Sequence, residues 1–122
     1  MATIKSYTDI EQSKKLAVIL PLDSADMEYL LEQWIDETGS HKEAYCETPV
    51  IKVDDNSPLQ QITHPCWSLA ALIGVLPNYE INYSGDFIQL DVNLEAIGTE
   101  GDETLLDLLV NMIIHLHELN LL

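Results

Sequence analysis

The stretch from Asn78 to Glu95, NYEINYSGDFIQLDVNLE, limits the fold more than any other part of the chain. Tyr79, Ile81 and Tyr83 alternate with Asn78, Glu80 and Asn82. After Ser84-Gly85-Asp86 the alternation resumes, with Ile88, Leu90, Val92 and Leu94 set against Gln89, Asp91, Asn93 and Glu95. Successive strand residues point to opposite faces, so the pattern predicts a β-hairpin over 79–94 with one buried and one wet face. The buried face must be covered, and the rest of the chain supplies helices for it.

TDIEQSKKLAVILP predicts a helix over about 9–20, opened by Thr8 and Glu11 as a reciprocal cap and stopped by Pro21. A second helix is expected over about 65–76, apolar nearly all round except for Ser68, which marks it as a buried central element. The third, about 103–120, has acids in its first turn and histidines in its last, as the helix dipole prefers. Its Leu105, Leu109, Met112, Leu116 and Leu119 recur as a packing seam.

Between these, KEAYCETPVIKV reads as extended, with Pro49 at an edge or bulge, and DDNSP as a turn. SADMEYLLEQWIDETG reads two ways. Met27, Leu30, Leu31 and Trp34 make a helical stripe, whereas Met27, Tyr29, Leu31, Gln33 and Ile35 alternate as in a strand; periodicity alone favours the helix. The endings LAVILP and LIGVLP match, which chance explains as well as duplication does. A chain of 122 residues closes one core without staples, so a single α+β domain over 1–122 is expected, an antiparallel sheet packed against three helices.

The charge narrows function. Twenty-one acids face 5 lysines, arginine is absent, the formal net charge is −16, and no lysine follows Lys52. Direct nucleic-acid binding and an anionic membrane surface are both disfavoured, because each is held by basic side chains. Cys46 and Cys66, 20 residues apart, read as reduced thiols in a cytoplasm. Lys14-Lys15 before LAVILPL mimics a leader, but the apolar run is short and broken by Pro21.

IKSYTDIEQSKKLAVILPLDSADM, PCWSLAALIGVLP and MIIHLHELNLL together resemble a group of small uncharacterised proteins of gut bacteria and their phages. The likeness covers both ends and the centre of the chain. It implies an α+β protein of phage or mobile-element origin with an extended segment after SADM, so a strand is expected there against the helical stripe.

Two constellations invite chemistry. His64 and Cys66, with Cys66 in the first turn of the second helix, have the make-up of a base and an activated thiol. Against that stand the acidic potential, which raises a thiol pKa, and Trp67 beside it, which looks like core. His115 and His117 suggest a metal, yet residues two apart on a helix diverge by about 200°, and ligation wants a spacing of three or four. They read as dipole-complementing histidines on a wet face. No catalytic residue, metal ligand or cofactor is therefore assigned.

The remaining candidate site is acidic: Asp54 and Asp55, then Glu95, Glu100, Asp102 and Glu103. Their spacing does not match a calcium loop. The expected function is a non-enzymatic accessory or inhibitor protein that docks on a basic protein partner, with an anti-defence or host-takeover role implied by the resemblance. Two alternatives stay open: a structural or self-associating protein, a homo-oligomer among them, whose acidity only confers solubility, and a Cys66-dependent enzyme.

Overall fold

The computed structural model describes residues 5–52 and 62–122 and builds them into three helices and two antiparallel sheets, an α+β fold. In chain order these are α1 (Ile10–Ala17), β1 (Met27–Ile35), β2 (His41–Tyr45), β3 (Val50–Ile51), β4 (Thr63–Cys66), α2 (Leu69–Val75), β5 (Tyr79–Ser84), β6 (Phe87–Val92), β7 (Glu95–Gly98) and α3 (Leu105–Glu118).

The ambiguous segment is strand β1. It pairs with β2 through Leu31–Ile35, with β3 through Met27 and Glu28, and with β4 through Met27–Leu30. Its local pattern fits a helix as well, and the three partner strands decide the outcome. The expected single sheet is thus two, because β1 to β4 form one and β5, β6 and β7 form the other.

The predicted second helix begins at Leu69 rather than Pro65, since residues 63–66 are strand β4. Ser68 is its N-cap, accepting from the Ala71 N–H at 3.1 Å, while its own N–H donates to Asp26 at 2.9 Å. Nor is α2 the central helix: within it only Leu72 is fully buried. That place belongs to α3, where Leu106, Leu108, Leu109, Val110, Met112, Ile113 and Leu116 are all buried against α1, α2, β6 and β7. The expected seam holds at Leu109, Met112 and Leu116, while Leu105 is half-buried and Leu119, at the C-cap, is exposed.

The first cap lies one residue later than predicted. Asp9 accepts from the Gln12 N–H at 2.8 Å, and the Gln12 side chain accepts from the Asp9 N–H at 3.1 Å. The helix ends at Ala17, before Pro21 is reached. The LAVILP and LIGVLP endings each bury two leucines, Leu16 with Leu20 and Leu72 with Leu76, but the sheets that follow them differ in order.

The predicted hairpin forms from Tyr79 to Val92, but its expected buried face is partial: Leu90 and Val92 are buried, Ile81 and Ile88 half-buried, and Tyr79 and Tyr83 exposed. Leu94 does not continue it. Asn93 and Leu94 make a two-residue turn with φ of 50° and 73°, which leads into β7, and Leu94 lies fully exposed at the tip. Such a turn requires left-handed backbone at both central residues, which Asn-Gly adopts readily and a leucine does not. Leu94→Gly is therefore expected to stabilise the fold by about 1 kcal/mol. An unchanged or lowered midpoint in urea would contradict the turn assignment. Among the described residues no helix is long and apolar enough to cross a membrane.

Candidate functional site

The Cys66 thiol does not sit in the first turn of a helix, as its sequence position implies. Cys66 ends strand β4, two residues before α2 is capped, so no helix N-terminus acts on it. It is fully buried beside Thr8, whose carbonyl oxygen accepts from Sγ at 3.4 Å and whose hydroxyl lies 3.5 Å away. Burial pushes the thiol pKa up, outweighing the nearby hydroxyls of Thr8, Ser13 and Tyr29. His64 is engaged elsewhere, with Nδ1 2.9 Å from the Pro65 carbonyl oxygen and its ring edge-on to Tyr45. The two do not form a base–nucleophile pair. Thiol reagents are expected to modify half-buried Cys46 in the native protein and Cys66 only on unfolding. Rapid native labelling of Cys66, read by mass spectrometry, would contradict this.

Thr8 organises the surroundings. Its N–H donates to the Trp67 carbonyl at 2.9 Å, its hydroxyl accepts from the Trp67 N–H at 3.1 Å and meets Ser13 Oγ at 2.7 Å, and its carbonyl accepts from the Tyr29 hydroxyl at 2.7 Å. Thr8 and Ser13 are fully buried polar groups, and each has a partner, as burial requires. Lys5 reaches Asp107 on α3 at 2.9 Å, and Gln12 reaches the same carboxylate oxygen at 2.8 Å. The N-terminal segment, the strand before α2 and α3 are joined at this point.

The acidic candidates separate into three groups. Asp54 and Asp55 lie outside the described residues. Glu95 starts β7, and its Oε2 lies 2.9 Å from Nε2 of half-exposed His115 on α3, so each of the two already has a partner within the fold. Glu103 is committed too, accepting from the Glu100 N–H at 2.7 Å and from the Asn111 amide at 2.9 Å. Glu100 and Asp102 are exposed, and their side chains make no hydrogen bond among the described residues. Among the described residues no group of three or more His, Cys, Asp or Glu is placed to hold a metal ion.

A second acidic surface was not picked out from the sequence. Beyond Leu31, β1 and β2 leave the core as a two-stranded arm whose residues from Glu32 to Ile35 and from His41 to Ala44 are all exposed. Trp34 is 47% and Ile35 62% exposed. Adjacent strand residues face opposite ways, so Trp34-Ile35 in a two-stranded arm must present an apolar side chain on each face. That dipeptide, just before the DETGS turn, was the available signal. The turn itself is firm, with Asp36 Oδ1 accepting from the Thr38 N–H, the Thr38 hydroxyl and the Ser40 N–H at 2.9, 2.6 and 3.0 Å. Those bonds, the Thr38 hydroxyl first among them, hold the Asp36 carboxyl below its usual range.

Comparison with known protein families, curated proteins and solved structures found no match to the chain.

Proposed function

We propose that this protein acts by binding a basic protein partner through its anionic surface. The observation that carries the reading is how little of the charge is neutralised within the fold. Among the described residues the lysines meet only Asp9, Asp107, Glu11 and Asp36, and the Glu11 and Asp36 contacts are at 4.0 Å. Lys52 donates to the Leu22 carbonyl rather than to an acid. The remaining carboxylates repel one another, and a net charge of −16 on 122 residues exceeds the magnitude of about 2–8 that keeps a small domain dispersed.

A charged surface of this kind steers encounter with a partner of opposite sign and rejects nucleic acid. The phage or mobile-element origin that the resemblance to small proteins of gut bacteria and their phages implies would put that partner in the host cell, bound so as to inhibit or redirect it in a reducing cytoplasm. Capture on the immobilised protein at low and at moderate salt, with identification by mass spectrometry, tests the reading. A stoichiometric partner of basic isoelectric point, released as salt rises, is the expected result. A neutral or acidic partner retained at both salts would overturn it.

A further inference from the structure

The β1–β2 arm has hydrogen bonds but no core, and it ends in an open edge. Asp36 N–H donates to the Ser40 carbonyl at 2.9 Å and Cys46 N–H to the Leu30 carbonyl at 2.8 Å, so Ser40 and Cys46 turn their backbone groups toward β1. Antiparallel alternation turns those of Lys42 and Ala44 the same way and sends the N–H and C=O groups of His41, Glu43 and Tyr45 outward. Among the described residues no strand pairs with that outer edge. A row of unpaired backbone groups on an exposed strand is a template for another strand.

Charge selects which strand. From Glu32 to Glu43 the arm carries four acids, Glu32, Asp36, Glu37 and Glu43, against the one lysine Lys42, which lies 4.0 Å from Asp36. Glu43 sits at the middle of β2 and is exposed. A second copy pairing antiparallel about that point would set Glu43 opposite Glu43, between two chains each of net charge −16, and like charges directly opposite destabilise a pair. A strand with a cation opposite Glu43 gains the pair that the second copy forfeits.

We propose that the outer edge of β2 takes an extended segment of the partner, bearing lysine or arginine opposite Glu43, as a third strand of the arm. The inference rests on the basic-partner reading and assigns that reading a mode: backbone hydrogen bonds supply affinity, and Glu43 supplies the choice of partner. Trp34 and Ile35, exposed on opposite faces of the same arm, supply apolar area to the body of the partner.

The test uses an eight-residue alternating Lys-Thr peptide and the same peptide with alternate amides N-methylated, which keeps the charge and removes the donors. Amide exchange of the full chain is followed by NMR. The plain peptide is expected to slow exchange at His41, Glu43 and Tyr45 by about tenfold at saturation, and the methylated one to leave it unchanged. Glu43→Gln should weaken the plain peptide about two- to five-fold and flatten its salt dependence. Glu43→Pro, which removes one outward N–H and leaves the β1 ladder intact, should abolish the protection. Equal, salt-dependent binding of both peptides without protection would overturn strand addition and leave the anionic reading standing. No binding of the plain peptide would also overturn it, and protection that grows with protein concentration alone would give the edge to a second copy. The wider reading fails separately, if the captured partner is not basic.

Discussion

Replacing Trp67 by alanine is expected to destabilise the protein by about 3–5 kcal/mol, the cost of emptying the bulkiest fully buried side chain from the core. Its indole N–H donates to Ser24 Oγ at 3.0 Å. Its backbone is bonded in both directions to Thr8, so the cavity opens where the N-terminal segment, β4 and α2 meet. A domain of this size has roughly 5–15 kcal/mol in all, so the loss is a large share of it. Trp67→Phe keeps most of the volume and should cost about 1–2 kcal/mol, chiefly the lost bond to Ser24. Urea unfolding of the two variants gives the comparison. A Trp67→Ala midpoint close to that of the native protein would mean the junction is not part of the cooperative core.

The second large effect is acid sensitivity centred on Asp107. Partial burial opposes its ionisation, but the Thr104 N–H, the Lys5 ammonium and the Gln12 amide outweigh burial and hold its pKa down at about 2. A carboxylate whose pKa is lower in the folded chain than in the unfolded one adds stability above the unfolded value, near 4. That contribution is lost as pH falls through the folded value. The shift corresponds to about 2 kcal/mol at neutral pH, lost between roughly pH 5 and pH 2.

The rest of the chain works in the opposite sense at first, because protonating crowded surface acids relieves their repulsion. Asp107→Asn separates the two. It should lower stability by about 1–2 kcal/mol at pH 7 and much less at pH 2, so the two pH profiles converge on the acid side. Parallel profiles would show that the Lys5–Asp107–Gln12 contacts contribute nothing to the ionisation.

The β5–β6 hairpin was legible because the alternation marks both strands, and burial follows it at Ile81, Ile88, Leu90 and Val92 though not at Tyr79 or Tyr83. They part again at Leu94. Asn-Leu carries no glycine to mark a left-handed turn, and the alternation runs on through it as though the strand did. β1 was illegible for a different reason: Met27, Leu30, Leu31 and Trp34 keep the helical period while Met27, Tyr29, Leu31 and Ile35 keep the strand period, and its partners lie in 41–45, 50–51 and 63–66.

The cap at Asp9 was missed because Thr8 is an equally good capping residue. What decides between them is the burial of Thr8 against Cys66 and Trp67, nearly sixty residues away. The same distance hid the commitment of Glu95. Its partner His115 is twenty residues on and faces it only because β7 packs on α3. The N-terminal segment meets Trp67 through Thr8, and Lys5 and Gln12 tie it to Asp107 on α3; the exposed arm lies outside this junction.

The most direct test of the central claim is the association rate of the captured partner with the native protein and with a Glu32→Gln, Glu37→Gln, Glu43→Gln variant, measured across about 50–300 mM salt. All three residues are exposed, and Glu37 and Glu43 are not needed to hold the turn, so the variant should fold as the native chain does. The anionic-docking account predicts association about tenfold slower at low salt for the variant, with the two rates converging as salt rises and dissociation changing less. Equal association rates at every salt concentration would contradict it.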